Sequence, residues 1–233
     1  MDSIVAGSVA IVFGASGGIG AALLSALRDA GRFDTVHGFS RRSVVPIDLT
    51  DEASLAHAAD IADKSGDIRL VIDATGFLHG QGMAPEKTWR ALGADELAHA
   101  FALNAIGPAL LMKHVLPKLP RTGKAVFATL SARVGSIKDN RLGGWYSYRA
   151  SKAALNQIVR TAAIELSRRT PEALCIALHP GTVATPLSDS FAKAGLDVLT
   201  PAQSAEHLLS VIDQLDVDAS GGFFDWRGDQ VPW

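Results

Sequence analysis

Tyr148 and Lys152 stand four residues apart in the stretch YSYRASKAALN, residues 146 to 156, which otherwise reads as an alanine-rich helix. Residues at i and i+4 are neighbours on a helix surface, so the phenol and the ammonium share one face. A nearby ammonium favours the phenolate, and is expected to lower the tyrosine pKa toward the working pH as general acid/base catalysis requires. The proton it would handle is one given to a carbonyl oxygen or removed from an alcohol. By itself a Tyr-x-x-x-Lys pair says little, because a core aromatic beside an exposed lysine has the same spacing.

A second set of residues suits phosphate. Gly14, Gly18 and Gly20 in FGASGGIG follow an apolar run and precede AALLSALRDA. A side chain at Gly14 would obstruct a tight turn, and the later glycines would let a pyrophosphate approach the positive N-terminus of the helix. The simpler alternative is an ordinary strand-to-helix turn. About twenty residues further on, an acidic residue would bind the ribose hydroxyls of NAD. This chain has Ser40, Arg41 and Arg42 there. Guanidinium forks hold a 2′-phosphate and stack on adenine, so NADP is expected in preference to NAD. A solvated surface arginine pair is the competing reading.

Asn104 lies four residues before Pro108 in FALNAIGPALLMKH. Proline offers no N–H to the Asn104 carbonyl and tends to kink a helix, which leaves that oxygen available to water. An incidental polar residue is the alternative. HPGTVATP, residues 179 to 186, follows an apolar run and is expected to expose backbone groups at a chain reversal; LSDSFAKAGLDVLTP after it reads as a substrate lid or a plain connection. Cys175, the only cysteine, sits in the apolar run ALCIALHPG and is expected to be a buried small hydrophobe. The seven histidines show no metal-ligand spacing, and metal catalysis is not expected.

These groups need elements to position them. Strand-like runs at 8–13, 35–40, 69–74, 124–130, 173–178 and 221–226 alternate with helical patterns near 19–30, 51–63, 94–119, 148–169 and 202–215. Such alternation predicts right-handed crossovers and a parallel, doubly wound sheet with helices on both faces. Several of the runs are apolar throughout, as strands buried on both sides should be. Ligands then belong outside the carboxyl ends of the strands, where the motifs above fall.

At 233 residues and 48% hydrophobic content, residues 1–233 are expected to form one α/β domain. Twenty-two basic against 24 acidic residues give a net charge of -2, which excludes a basic field for nucleic acid or anionic lipid. The N-terminal sequence lacks a basic n-region, no uninterrupted apolar run reaches transmembrane length, and a lone cysteine does not point to an oxidising compartment; a cytoplasmic location is expected.

Taken together, the glycine spacing, Asp48, Asn104, Tyr148, Lys152 and HPGTVATP resemble the short-chain dehydrogenase/reductase family over essentially the whole chain. GGWYSYRASKAALNQ and FFDWRGDQVPW are most similar to its C-factor-like bacterial subgroup. The resemblance implies a single-domain Rossmann-type fold and reduction of a carbonyl, or oxidation of an alcohol, with NADP(H). Tyr148 would be the general acid/base, Lys152 would lower its pKa and hold the nicotinamide ribose, and Asn104 would position a water in a proton relay. Cofactor contacts would come from Gly14, Ser16, Gly18, Ile19 and Gly20, from Ser40, Arg41 and Arg42, and from Asp48 and Leu49 at the adenine. Ala74, Thr75 and Gly76 would follow, then Pro180, Gly181, Val183 and Thr185 at the nicotinamide end. Asp51 is equally suited to charge a helix N-terminus. Asp73 and Thr75 depart from the family's Asn-Asn-Ala-Gly pattern. The family's catalytic serine, aligned on Gly135, is here Ala132, so Ser131 or else Ser136 would have to supply the hydroxyl. Relatives of this kind act on small molecules and commonly form homodimers or homotetramers through the helices near 94–119 and 148–169. Two other readings stay open: an NADP(H)-binding sensor with little turnover, and an oligomeric scaffold that retains only the fold.

Overall fold

The computed structural model describes residues 1–80, 82–186 and 197–233. The expected lid falls largely on 187–196, outside the described residues. All six expected strands form: β1 (Val9–Phe13), β2 (Thr35–Phe39), β3 (Ile68–Asp73), β4 (Ala125–Leu130), β5 (Ala173–His179) and, after a short two-stranded pair β6 (Thr182–Val183) and β7 (Val198–Leu199), β8 (Phe223–Asp225). The main sheet is parallel throughout, in the order β2-β1-β3-β4-β5-β8. The chain winds outward from β1 to β2, then returns to place β3 on the other side of β1. A crevice opens where the winding reverses, outside the carboxyl ends of β1 and β3.

The helices are α1 (Gly18–Asp29), α2 (Glu52–Asp63), α3 (Ala94–Phe101), α4 (Gly107–Val115), α5 (Tyr146–Ser167) and α6 (Pro201–Gln214). Successive strand residues point to opposite faces, and both faces are apolar. Val9, Ile11, Phe13, Val71 and Phe127 pack with Leu55 of α2, Leu111 and Val115 of α4, and Leu155 and Val159 of α5. Ala10, Val12, Leu70 and Ile72 pack on the opposite face with Leu23 and Leu27 of α1 and Leu208 and Ile212 of α6. Cys175 is buried in the middle of β5, and burial pushes its thiol up to about 12, as a packed and unreactive residue requires.

Of these six α-helices, two carry side-chain caps in their own sequence. Asp51 accepts from the Ala53 amide at the start of α2, so its helix-terminus role is the one realised. Thr200 and Gln203 form a reciprocal capping box at the start of α6. Helices α1 and α5, which begin at the carboxyl edge of the sheet, have no such side-chain cap.

The run expected at 94–119 is not one regular helix. A π-helical turn at Ala102–Ile106 separates α3 from α4, directly before Pro108. Proline removes one i to i−4 bond, and the backbone accommodates the loss by widening a turn. The continuous helical run Ala94–Lys118 is long and apolar enough to cross a bilayer, but here Leu111, Met112 and Val115 are core residues against the sheet. On the outer side, α4 and α5 leave an open groove of about 500 Å³ lined by Met112, Leu116, Ile158 and Ala162. This is the surface to which the family resemblance assigns subunit contacts.

Candidate active site

The glycine turn joins β1 to α1 at the carboxyl edge. Gly14 has φ 79°, and a Cβ there would lie 2.7 Å from the Ala74 carbonyl oxygen, so the turn and the end of β3 touch backbone to backbone. A Cβ at Gly20 would lie 2.2 Å from the Gly14 oxygen. Gly20 thus serves close packing of α1 onto the turn, and Gly18 does the same toward Thr185, whose Cγ2 would be 2.7 Å from a Cβ. Space for a ligand is provided on the other side, where Ser16 and Gly17 are exposed and Ile19 is half-buried. The first amides of α1 have no side-chain acceptor and face the positive end of the helix dipole, a ready site for a phosphate.

Arg41 and Arg42 are exposed just past β2, and Ser40 is buried with its hydroxyl accepting from the Arg42 amide. Asp48 binds the amide and hydroxyl of Thr50 through one oxygen. Those bonds, with the nearby Arg41 charge, hold its carboxyl below the usual range. The Leu49 side chain packs against Gly107 of α4.

At the end of β3, Asp73 is fully buried. Its Oδ1 accepts from the amide and hydroxyl of Thr75 at 3.0 and 2.5 Å, and its Oδ2 accepts from the Thr129 hydroxyl at 2.7 Å. Thr75 is therefore turned inward to hold Asp73. A Cβ on Gly76 would lie 3.5 Å from Asn104 Oδ1 and 3.6 Å from Lys152 Nζ, so this glycine keeps the crevice open beside the reactive residues.

Asn104 lies within the π turn and is fully buried. Its side-chain oxygen accepts from the Phe77 amide at 2.7 Å, and its side-chain nitrogen donates to the Phe77 carbonyl at 2.8 Å and to Ser151 Oγ at 3.1 Å. The Ser151 hydroxyl in turn donates to the Tyr148 carbonyl at 2.9 Å. The side chain is thus a clamp between three elements, a role that the proline spacing did not reveal.

Tyr148 and Lys152 do share a face of α5, with the ammonium 6.0 Å from the centre of the phenol ring. The expected direction of the tyrosine shift does not hold. Tyr148 is half-buried by surface area, yet desolvation pushes its phenol up to about 12. Lys152 is itself buried, which lowers it to about 8, partly opposed by the attraction of Asp73. Loss of water therefore sets the direction of both shifts. Lys152 Nζ donates to the Leu130 carbonyl at 2.7 Å.

The Ser131 hydroxyl points away from this pair. It donates to Asn156 Oδ1 at 2.6 Å, in a buried contact one helical turn beyond Lys152. The Ser136 hydroxyl accepts from the Asp139 amide at 3.1 Å and is equally buried. Ala132 keeps the position at which the family places its serine. After β5, Gly181 has φ 84° and a Cβ there would lie 2.9 Å from the Trp226 ring, while the Pro180 carbonyl accepts from Ser204. Val183 and Thr185 are buried beside them, Thr185 against Gly18. His179 Nδ1 is buried without a hydrogen-bond partner, and burial lowers this histidine to about 4.

A doubly wound parallel sheet with a glycine cradle, uncapped amides and a half-buried phenol beside a buried ammonium along one edge defines a dinucleotide-binding α/β protein. Residues 12–221 match the family model described as enoyl-(acyl carrier protein) reductase. The chain is 39% identical over 149 residues to the C-signal of Myxococcus xanthus, covering 62% of this chain and 85% of that one. It is 32% identical over 188 residues to 1-hydroxy-2-glutathionyl-2-methyl-3-butene dehydrogenase of Rhodococcus sp. strain AD45, covering 80% and 78%. Among solved structures, NADPH-bound carbonyl reductase from chicken fatty liver aligns with TM-score 0.84 and 26% identity over 98% of this chain and 99% of that chain. Carbonyl reductase Sniffer of D. melanogaster aligns with TM-score 0.82 and 25% identity over 98% and 100%. The chain belongs to the short-chain dehydrogenase/reductase family of oxidoreductases.

The Ser131 contact generates a test of its own. Asn156 Nδ2 already lacks a partner, so Ser131→Ala would leave the whole buried amide unbonded. We expect a loss of about 1–3 kcal/mol in chemical denaturation. An unchanged midpoint would mean that the hydroxyl is not committed to Asn156.

Proposed function

We propose that the chain is an NADP(H)-dependent reductase of small carbonyl compounds, with Tyr148 as the proton donor. The observation that carries this reading is the Tyr148–Lys152 pair, whose ammonium would lie 3.6 Å from a Cβ on Gly76, at the carboxyl edge that also carries the glycine turn. The described residues fit a dinucleotide. The open amides of α1 with Gly14, Ser16, Gly18, Ile19 and Gly20 would take the pyrophosphate. Asp48 and the Leu49 backbone would border the adenine, and Ala74, Gly76 and the Pro180–Thr185 segment would line the nicotinamide end. Arg41 and Arg42, with no carboxylate in their place at the end of β2, favour the 2′-phosphate, in keeping with the NADPH bound to the chicken carbonyl reductase.

When bound, the nicotinamide supplies the hydride. The residues of this chain handle the proton. A phenol held near 12 is protonated at neutral pH and so able to give its proton to a substrate oxygen. The Lys152 ammonium then stabilises the phenolate left behind, anchored meanwhile on the Leu130 carbonyl. Asn104 fixes the Phe77 backbone and the first turn of α5 through Ser151, which keeps the phenol in register.

A second reading has one specific observation in its favour. With Ala132 at the serine position and the Ser131 hydroxyl bonded to Asn156, nothing described here orients a substrate oxygen other than Tyr148. A protein that binds NADP(H) with slow turnover would have that arrangement.

Three measurements test these readings. NADPH titration by fluorescence, followed by turnover on ketones, aldehydes and dicarbonyls, should give micromolar binding and activity that Tyr148→Phe lowers at least about a thousandfold with cofactor affinity retained. Binding without turnover in the unaltered chain would favour the second reading. The double variant Arg41→Ala, Arg42→Ala should weaken NADPH about tenfold or more and NADH little; equal losses would remove the 2′-phosphate assignment. Lys152 titrates below its ordinary range, so its ammonium is present under pH 8 and lost above it. The kcat/KM for reduction should be level below about pH 8 and fall above it, and a profile that stays level to pH 9.5 would count against the lysine's role.

A further inference from the structure

Helix α5 begins without a cap of its own. Its N-cap residue is Trp145, whose indole does not cap the helix, and its first turn, Tyr146, Ser147 and Tyr148, contains no acidic residue. The amides there need acceptors, because the first four N–H groups of a helix have none within it. They obtain them from a residue 61 positions upstream. Glu86, only 5% exposed, accepts from the Ser147 amide through Oε2 at 3.1 Å and from the Ser147 hydroxyl through Oε1, and its main-chain carbonyl accepts from the Trp145 amide.

The backbone leading into α5 is held against its preference. Gly143, Gly144 and Trp145 have φ of 63°, 65° and 54° in succession. Trp145 is the one non-glycine residue with positive φ among the described residues. A bulky side chain rarely takes this conformation, which persists only where the surroundings over-determine it. Here the Glu86 carbonyl lies 3.4 Å from the position of a Cβ on Gly144, and Arg149 Nε bridges back to the Gly144 carbonyl at 2.9 Å. Glu86 and Tyr148 also border one small pocket with Phe77, Leu78 and Ala100. The chain is thus fastened at Phe77, to Asn104, and at Glu86, to the first turn of α5.

We propose that Glu86 is a positioning residue for Tyr148. It caps the active-site helix from another part of the chain, and so sets the angle at which the first turn presents the phenol. The inference rests on the assignment of Tyr148 as proton donor. The carboxylate does more than neutralise the helix end, since it takes both donors of Ser147, while the main-chain carbonyl of the same residue takes the Trp145 amide. Without the carboxylate, the Ser147 amide and hydroxyl lose their acceptor and the first turn can fray. A displacement of about 1 Å at a reacting group costs on the order of a hundredfold in rate.

The experiment compares Glu86→Ala and Glu86→Gln with Tyr148→Phe, each normalised to the number of NADPH sites titrated. Glu86→Ala should lower kcat about 10- to 100-fold with NADPH affinity within about twofold, because the glycine cradle and the arginines lie elsewhere. Glutamine can accept from the Ser147 amide and donate to its hydroxyl, so Glu86→Gln should recover kcat to within about threefold of the unaltered chain. Loss of kcat in Glu86→Gln equal to that in Glu86→Ala would overturn positioning by these bonds, and so would an unaffected kcat in Glu86→Ala while Tyr148→Phe is inactive. Active Tyr148→Phe would instead remove the reading on which the proposal stands. Should Glu86→Ala fail to fold, Ser147→Ala, which keeps the amide bond and deletes the hydroxyl bond, should lower kcat severalfold at constant NADPH affinity; full kcat there would also overturn it.

Discussion

An ammonium that is 3% exposed cannot rely on water, and the arrangement around Lys152 follows from that constraint. Its Nζ donates to the Leu130 carbonyl at the last residue of β4, and it is attracted by Asp73 at the last residue of β3. Asp73 is more deeply buried still, and burial raises its pKa; three donors from Thr75 and Thr129 oppose that shift. The carboxyl ends of two neighbouring strands and the face of α5 are thereby tied together by groups that are costly to leave unpaired. The crevice at the winding reversal gains a rigid floor with a charged residue in it.

A second network holds the walls. Asn104 bonds both backbone groups of Phe77 and reaches Ser151, whose hydroxyl returns to the Tyr148 carbonyl. The π turn makes this possible by rotating the Asn104 side chain inward while Pro108 continues the helix as α4. Helices α1 and α5 both start at this edge without side-chain caps of their own, but with opposite outcomes. The amides of α1 stay available at the glycine cradle, whereas the Ser147 amide of α5 is taken up by the Glu86 carboxylate. One helix end is left for a ligand and the other is fixed to hold a side chain.

The six strands and the helical stretches were legible because alternation of fully apolar runs with amphipathic ones is a local signal, and the parallel sheet follows from the crossover lengths. The glycine turn was legible for the same reason, although the structure assigns Gly18 and Gly20 to close packing against Thr185 and the Gly14 carbonyl and leaves the ligand side to exposed neighbours. The i, i+4 rule placed Tyr148 beside Lys152. It did not give the sign of the tyrosine shift, because desolvation depends on how many atoms from distant segments surround the phenol. The Ser131 expectation likewise depended on which way a hydroxyl turns, and Asn156, 25 residues away, captured it.

What the sequence alone determined is therefore the family-level architecture and the identity of the residues brought to one edge: periodicity, glycine spacing and residue type are properties of neighbours along the chain. Only the tertiary structure decided the protonation preferences, the clamp at Asn104, the inward turn of Asp73 and the capping of α5 by Glu86. Each of these joins residues tens of positions apart. Their energies come from excluded water and from the precise distance between partners, neither of which has a signature in local sequence. The absence of a capping residue before Tyr146 was the single local hint that a distant acceptor had to exist.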